Sequence, residues 1–201
     1  MSSSRPTSTD LTRADLRRSP SPCLLTGGQT GVDTLAALAG LRAGLPVHLV
    51  FPLGLRQEDG PLPAARSRAL RGATIHELAS PEFTYRTWTC VYLSDAVILI
   101  DPAGGDGCQE TIRAADRLAR PLLNLSAGAE LLQPEQIASP LALPEAITAW
   151  LERLRPSVLM LAGCRSSVLG DLAPRVEAQL SALMPGIARK LSLQEERPSP
   201  H

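Results

Sequence analysis

Six short apolar runs separated by helix-like stretches are what most constrain the fold of this chain. The runs fall near residues 22–27, 46–52, 73–78, 95–101, 121–126 and 157–163 and are read as strands. Helices fit the intervening stretches near 31–43, 84–93, 108–119, 144–154 and 171–184. Strands that alternate with helices predict an α/β domain with a mostly parallel sheet. The run Asp95-Ala96-Val97-Ile98-Leu99-Ile100 is apolar at both parities. A strand of that kind needs helices on both faces of its sheet.

Helical periodicity agrees. Ile147, Trp150, Leu151 and Leu154 repeat at i, i+3, i+4 and i+7. Leu172, Val176, Leu180 and Leu183 do so within one position. The helix near 31–43 carries two apolar faces, Val32, Leu35, Ala36 and Ala39 on one and Leu38, Leu41 and Leu45 on the other. A helix apolar nearly all round is covered twice, by a neighbouring element or by another subunit. A homo-oligomer is therefore expected.

The chain has 201 residues, enough for one domain with a sizeable core. Residues 22–187 are assigned to it, and 1–21 and 188–201 to disordered tails too poor in apolar residues to offset the entropy of ordering. Residues 53–72 lack periodicity and read as a functional or mobile loop. The net charge is zero, so nothing electrostatic favours a nucleic acid or an anionic membrane. No apolar run has the length of a signal or membrane span. Cys23, Cys90, Cys108 and Cys164 are dispersed, with no CxxC pair and no ligand spacing to His48 or His76. That argues against a zinc site or a disulfide framework and suits a reducing, cytoplasmic setting.

The run from Leu24 to Asp33 reads as a strand, a glycine turn and the first turn of a helix. Gly27, Gly28 and Gly31 let a ligand approach the backbone, while Gln29 and Thr30 bring it to a helix N-terminus that attracts anions. Thr30 and Asp33 equally fit a capping box that only starts the helix. Two further glycine loops follow predicted strands, Gly104-Gly105-Asp106-Gly107-Cys108 and Gly163-Cys164-Arg165-Ser166. Open α/β sheets bind ligands at that edge, so the three loops are expected to share one cleft. Arg86 and Arg165 are its candidate cations, able to clamp an oxyanion or to pin the long loop through Glu58 or Asp59.

The glycine run, the Gly54-Leu55-Arg56-Gln57-Glu58-Asp59-Gly60-Pro61 loop, Tyr85-Arg86-Thr87 and the strand from Ser94 to Ile100 occur in an order and spacing that resemble the putative molybdenum carrier family. That family lies in the Rossmann-like superfamily shared with the cytokinin phosphoribohydrolases, the lysine-decarboxylase-like proteins. The resemblance spans roughly residues 22–185. It implies a Rossmann-like fold and a small anionic ligand, molybdenum cofactor or molybdate, with a nucleotide-derived ligand open. The chain departs from the family pattern at Leu53, where a lysine is usual, at Cys90, where an asparagine is usual, and at Cys108, where a threonine is usual.

The stretch Asp101 to Glu110 is similar to a distorted phosphoribohydrolase motif, with Ala103 extra and the glutamate one residue early. One residue is 100° around a helix, so Glu110 is expected to face solvent; the alternative is a nucleotide-processing hydrolase with Glu110 and Arg165 as its working groups. A degenerate cleft serving as an interaction module is a third reading. Tyr85, Trp88 and Tyr92 share a helical face and fit either ordinary core or a stack on a flat ring. Cys90 and Cys108 fit buried core or soft sulfur ligands to molybdenum. No metal site is assigned.

Overall fold

The computed structural model describes residues 11–16, 21–125 and 143–193. In chain order the elements are α1 (Arg13–Leu16), β1 (Cys23–Thr26), α2 (Val32–Arg42), β2 (Val47–Phe51), β3 (Arg56–Gln57), β4 (Gly60–Pro61) and α3 (Ala64–Ala69). There follow β5 (Thr74–Glu77), α4 (Phe83–Leu93), β6 (Ala96–Ile100), α5 (Asp106–Arg117), β7 (Leu122–Asn124), α6 (Glu145–Leu154), β8 (Val158–Gly163), α7 (Ser166–Leu169) and α8 (Ala173–Ser192). All six expected strands join one sheet in the order β5-β2-β1-β8-β6-β7, and every pairing is parallel.

The chain builds β1, β2 and β5 outward in one direction and crosses to β6 and β7. It then returns to seat its last strand at the centre. Leu24 of β1 faces Val47 on one side and Leu159 of β8 on the other. On its far edge β8 pairs with β6, Ile98 facing Leu161. Every residue of β1, β2 and β6 is buried, as strands covered on both faces must be. The helices that supply this cover form two groups, α2 with α8 and α6, and α4 with α5.

Three expectations need correcting. The helix α8, against which α2 packs, runs eight residues past its expected end because Ile187, Ala188 and Leu191 are buried, while Leu38 and Leu41 on the second face of α2 stay half-buried. The domain boundaries also move: Leu16, placed in the N-terminal tail, is 1% exposed within the core, and α8 carries the ordered body to Ser192. Residues 1–10, 17–20 and 194–201 of the two tails lie outside the described residues. Finally, Tyr85 and Tyr92 are exposed at 53% and 56%. The sheet-facing side of α4 is the opposite one, with Arg86, Cys90, Val91 and Leu93 buried.

A pair of histidines joins β2 to β5. His48 Nδ1 lies 2.9 Å from His76 Nε2, and the rings stack. Burial lowers both pKa values, and the neighbouring His48 helps bring His76 to about 4, with Asp15 opposing. The unfolded chain thus takes up these protons first. The pair's contribution is complete above the ordinary value of 6.5 and is lost as pH falls toward about 4. Thermal melts should show a loss of about 1–2 kcal/mol across that window, discounted for the partial exposure of His76. His76→Gln should flatten this acid limb. An acid limb of unchanged depth in that variant would remove the histidines as its cause.

Candidate functional site

The first glycine loop follows β1 and is built around its own neighbours. A Cβ on Gly27 would stand 1.3 Å from Arg86 Nη1, and one on Gly28 would meet the Phe51 ring at 2.6 Å. Gly28 and Gly31 also take positive φ, 67° and 75°. At Gly31 the obstacle would be the Cys164 carbonyl oxygen, 2.4 Å away. In this structure these three glycines admit an arginine, a phenylalanine and a neighbouring backbone. The capping box does not form, because α2 starts at Val32 with Gly31 before it and no side-chain cap. Thr30 Oγ1 instead donates to Glu58 and accepts from Ser166 N–H at 3.2 Å.

Several loop amides are already engaged. Gln29 N–H donates to Asp33 Oδ2 at 3.1 Å, Thr30 N–H to Gln29 Oε1 at 3.0 Å, and Val32 N–H to the Cys164 carbonyl at 3.0 Å. Asp33 also accepts from Arg86 Nη1 at 3.0 Å, and the two side chains are 5% and 9% exposed. Burial raises the Asp33 pKa, while the Arg86 charge and hydrogen bonds from Gln29 and Arg86 oppose the rise. Arg86 Nε is buried with no partner.

The long loop is ordered and clasps this turn. Gln57 Nε2 donates to the Gly28 carbonyl at 2.6 Å, and Glu58 N–H to Gln29 Oε1 at 2.7 Å. The Glu58 carboxylate accepts from Thr30 Oγ1, from Ser167 N–H at 3.0 Å and from Ser167 Oγ, with Arg165 Nε 3.6 Å away. Burial works against ionisation of Glu58, but the Ser167 and Thr30 hydrogen bonds and the Arg165 charge outweigh it and keep its pKa below the usual range. Asp59 pairs with Arg66 at 2.9 Å, inside the loop itself. Glu58 therefore ties three segments together, and Asp59 stabilises its own loop.

The expected meeting of the two strand–glycine–helix units is observed. Because β1 and β8 are adjacent, the segment from Cys164 to Ser166 lies against Gly31. Gly163 is equally confined, since a Cβ there would stand 2.2 Å from the Ile100 carbonyl oxygen. Arg165 reaches toward Glu58, and its side chain is 52% exposed.

The loop after β6 is more open. Asp101 Oδ1 accepts from Gly104 N–H at 2.8 Å and Gly105 N–H at 3.1 Å. A Cβ on Gly104 or Gly107 would meet nothing within 4 Å. Glu110, expected to face solvent, accepts from Trp88 Nε1 at 2.5 Å and Arg113 Nη1 at 2.8 Å. It lines the cleft. The helices α4 and α5 pack together, and Glu110 meets Trp88 across that contact.

These loops bound a cleft of about 350 Å³ between α4, α5 and the end of β8. Gln29, Asp33, Arg86, Gly105, Gly107, Glu110, Gly163 and Arg165 line it among the expected residues. Gly27, Gly28, Thr30, Gly31, Glu58, Asp59, Gly104 and Ser166 are outside the lining and hold the loops in place. Cys90 is fully buried, with its pKa pushed up to about 12 by desolvation.

Sequence reasoning missed a cluster at this edge. Cys108 Sγ and Cys164 Sγ are 3.7 Å apart, and Cys164 Sγ lies 2.8 Å from Asp101 Oδ1. Asp101 and Cys164 follow Ile100 and Gly163, which face each other across β6 and β8. No local spacing announces such a group. Only the adjacency of two strands distant in sequence creates it.

The architecture is that of a Rossmann-like α/β protein with its loops gathered at the carboxyl ends of the central strands. Within that class the chain belongs to the circularly permutated YpsA SLOG family, whose model matches residues 24–184. The central placement of the C-terminal strand β8 accords with such a permutation. No curated protein matches. Among solved structures, the chain is similar to a putative molybdenum carrier protein from Syntrophus aciditrophicus SB, with a TM-score of 0.64 and 22% identity. The similarity covers 83% of this chain and 97% of that one. The resemblance read from the motifs is thereby borne out.

Proposed function

We propose that this protein is a small-molecule-binding protein of the molybdenum-carrier type, with an anionic ligand held in the cleft between α4 and α5. The observation that supports this most is a pair of arginines, Arg86 and Arg165, in a lining that also carries the carboxylates of Asp33, Asp106 and Glu110. Arg86 is buried against Asp33 with its Nε unpartnered among the described residues, and Arg165 is half exposed with Glu58 3.6 Å from its Nε. A buried guanidinium that lacks a full set of acceptors favours an oxyanion or phosphate. The volume of about 350 Å³ is at the small end of ligand pockets. The name of the similar Syntrophus protein directs attention to molybdate or molybdenum cofactor, and a nucleotide-derived ligand fits the same chemistry. The described helices include none long and apolar enough to cross a membrane. Four free cysteines suit a cytoplasmic setting.

One observation favours the hydrolase reading: Glu110 lines the cleft. Its carboxylate is committed to Trp88 and Arg113, which argues for a fixed acceptor rather than a proton-transfer group.

Calorimetric titration with molybdate, molybdenum cofactor, AMP and ADP-ribose distinguishes these readings. The tightest of the four should weaken about 10- to 100-fold in Arg165→Ala, the loss of one charge-assisted hydrogen bond. Unchanged affinity would remove Arg165 from the site. Gly28→Val is unsuitable as a probe, because its side chain would strike Phe51. Nucleoside 5′-monophosphates should yield no free base above background, and turnover abolished by Glu110→Gln would favour the hydrolase.

A further inference from the structure

We propose that Asp101, Cys108 and Cys164 form a binding site for one divalent cation of the zinc class, opening on the wall of the cleft. The three side chains come from the end of β6, the first turn of α5 and the end of β8. Their ligand atoms all lie within 4.8 Å of one another. Two thiolates bound tetrahedrally to Zn²⁺ at about 2.3 Å stand about 3.8 Å apart. The observed Sγ–Sγ separation is 3.7 Å, so the pair already spans one edge of the required tetrahedron. Thiolate sulfur selects borderline and soft ions over Mg²⁺ or Ca²⁺.

The surroundings favour a bound ion. Gly104 and Gly105 N–H groups orient the Asp101 carboxylate, the outer-shell arrangement that metal ligands use. A bound cation takes the place of the thiol protons. Each thiol loses its proton to the solvent, each sulfur bonds the metal, and no electrons are transferred. Three protein ligands leave a fourth position. Cys108 and Cys164 line the cleft beside Gly105 and Gly107, so that position faces the cleft.

The inference rests on the ligand atoms themselves and stands or falls independently of the proposed anion. The reduced full-length protein is titrated with Cd²⁺ alone, without anionic ligand, and the thiolate-to-cadmium charge-transfer band is followed in the ultraviolet. One equivalent should saturate the band with release of thiol protons, and Zn²⁺ should compete. Cys164→Ser should abolish the tight phase, while Asp101→Asn should weaken it by at least about tenfold. Circular dichroism checks that each variant is folded. A readout on the unaltered chain backs these up: stoichiometric Cd²⁺ should protect Cys108 and Cys164 from alkylation, mapped by peptide mass. A band retained in folded Cys164→Ser, or alkylation unaffected by Cd²⁺, would overturn the site. So would a reduced chain that binds no Cd²⁺ but closes a Cys108–Cys164 disulfide under mild oxidation.

Discussion

Replacing Arg86 with methionine should destabilise the protein by about 3–5 kcal/mol, the cost of stranding one charge of a buried ion pair. Arg86 lies on α4 and Asp33 in the first turn of α2, so their 3.0 Å contact joins elements 53 residues apart. Without the guanidinium, Asp33 keeps its burial and loses the charge that opposes it. Its pKa then rises further. A carboxyl with a raised folded pKa binds its proton more tightly in the folded state, so stability falls as pH climbs above the ordinary value of 3.8. Arg86→Met should therefore be relatively better folded in mild acid than at neutrality. Asp33→Asn in the Arg86→Met background should recover much of the loss by removing the stranded charge. Urea unfolding of the two variants at two pH values provides the check. A midpoint for Arg86→Met equal to that of the wild type would show that the pair is not structural.

Gly163→Ala should be about as damaging, with a loss of about 3 kcal/mol or more, at the upper end of overpacking costs. The new Cβ would stand 2.2 Å from the Ile100 carbonyl oxygen and 2.7 Å from Val32 Cγ2. Neither can retreat, because Ile100 is paired with Gly163 in the sheet and Val32 is fully buried. Gly31→Ala should behave alike, since its Cβ meets backbone of the β8–α7 connection and its φ is positive. Gly107→Ala is the internal contrast. It is helical, nothing lies within 4 Å of its Cβ, and alanine there should be neutral or stabilising by up to about 1 kcal/mol. Urea midpoints across the series test the assignment. If Gly163→Ala matched Gly107→Ala, the close packing of β8 between β1 and β6 would be disproved.

The site was less legible than the fold. All three glycine loops were recognised, as was the pairing of Gly163-Cys164-Arg165-Ser166 with the first loop. Their division of labour was not. Gly27 and Gly28 read as openings for a ligand, yet Arg86 and Phe51 occupy those spaces. A glycine shows that something approaches the backbone but not what does. Glu110 read as pointing to solvent because its register was counted along an ideal helix. The observed direction depends on Trp88 across the α4–α5 contact. The short ladder of β3 and β4 and the helix α3 also escaped notice within 53–72. Such short elements leave too few residues for a period to show.

What the sequence by itself determined is local: six apolar runs of strand length, helical faces at 3.6-residue spacing, and glycine turns between them. Those patterns follow from backbone geometry and from the need of each element to bury its apolar side, so they survive without knowledge of the neighbours. Tertiary structure alone decided which strands became neighbours. Seating β8 between β1 and β6 brings Cys164 beside Asp101 and Cys108, lays the Cys164–Ser166 backbone against Gly31, and sets Arg165 near Glu58. The reason is physical. Side-chain chemistry at a sheet edge depends on lateral strand order, and lateral order depends on long-range pairing that no local pattern encodes.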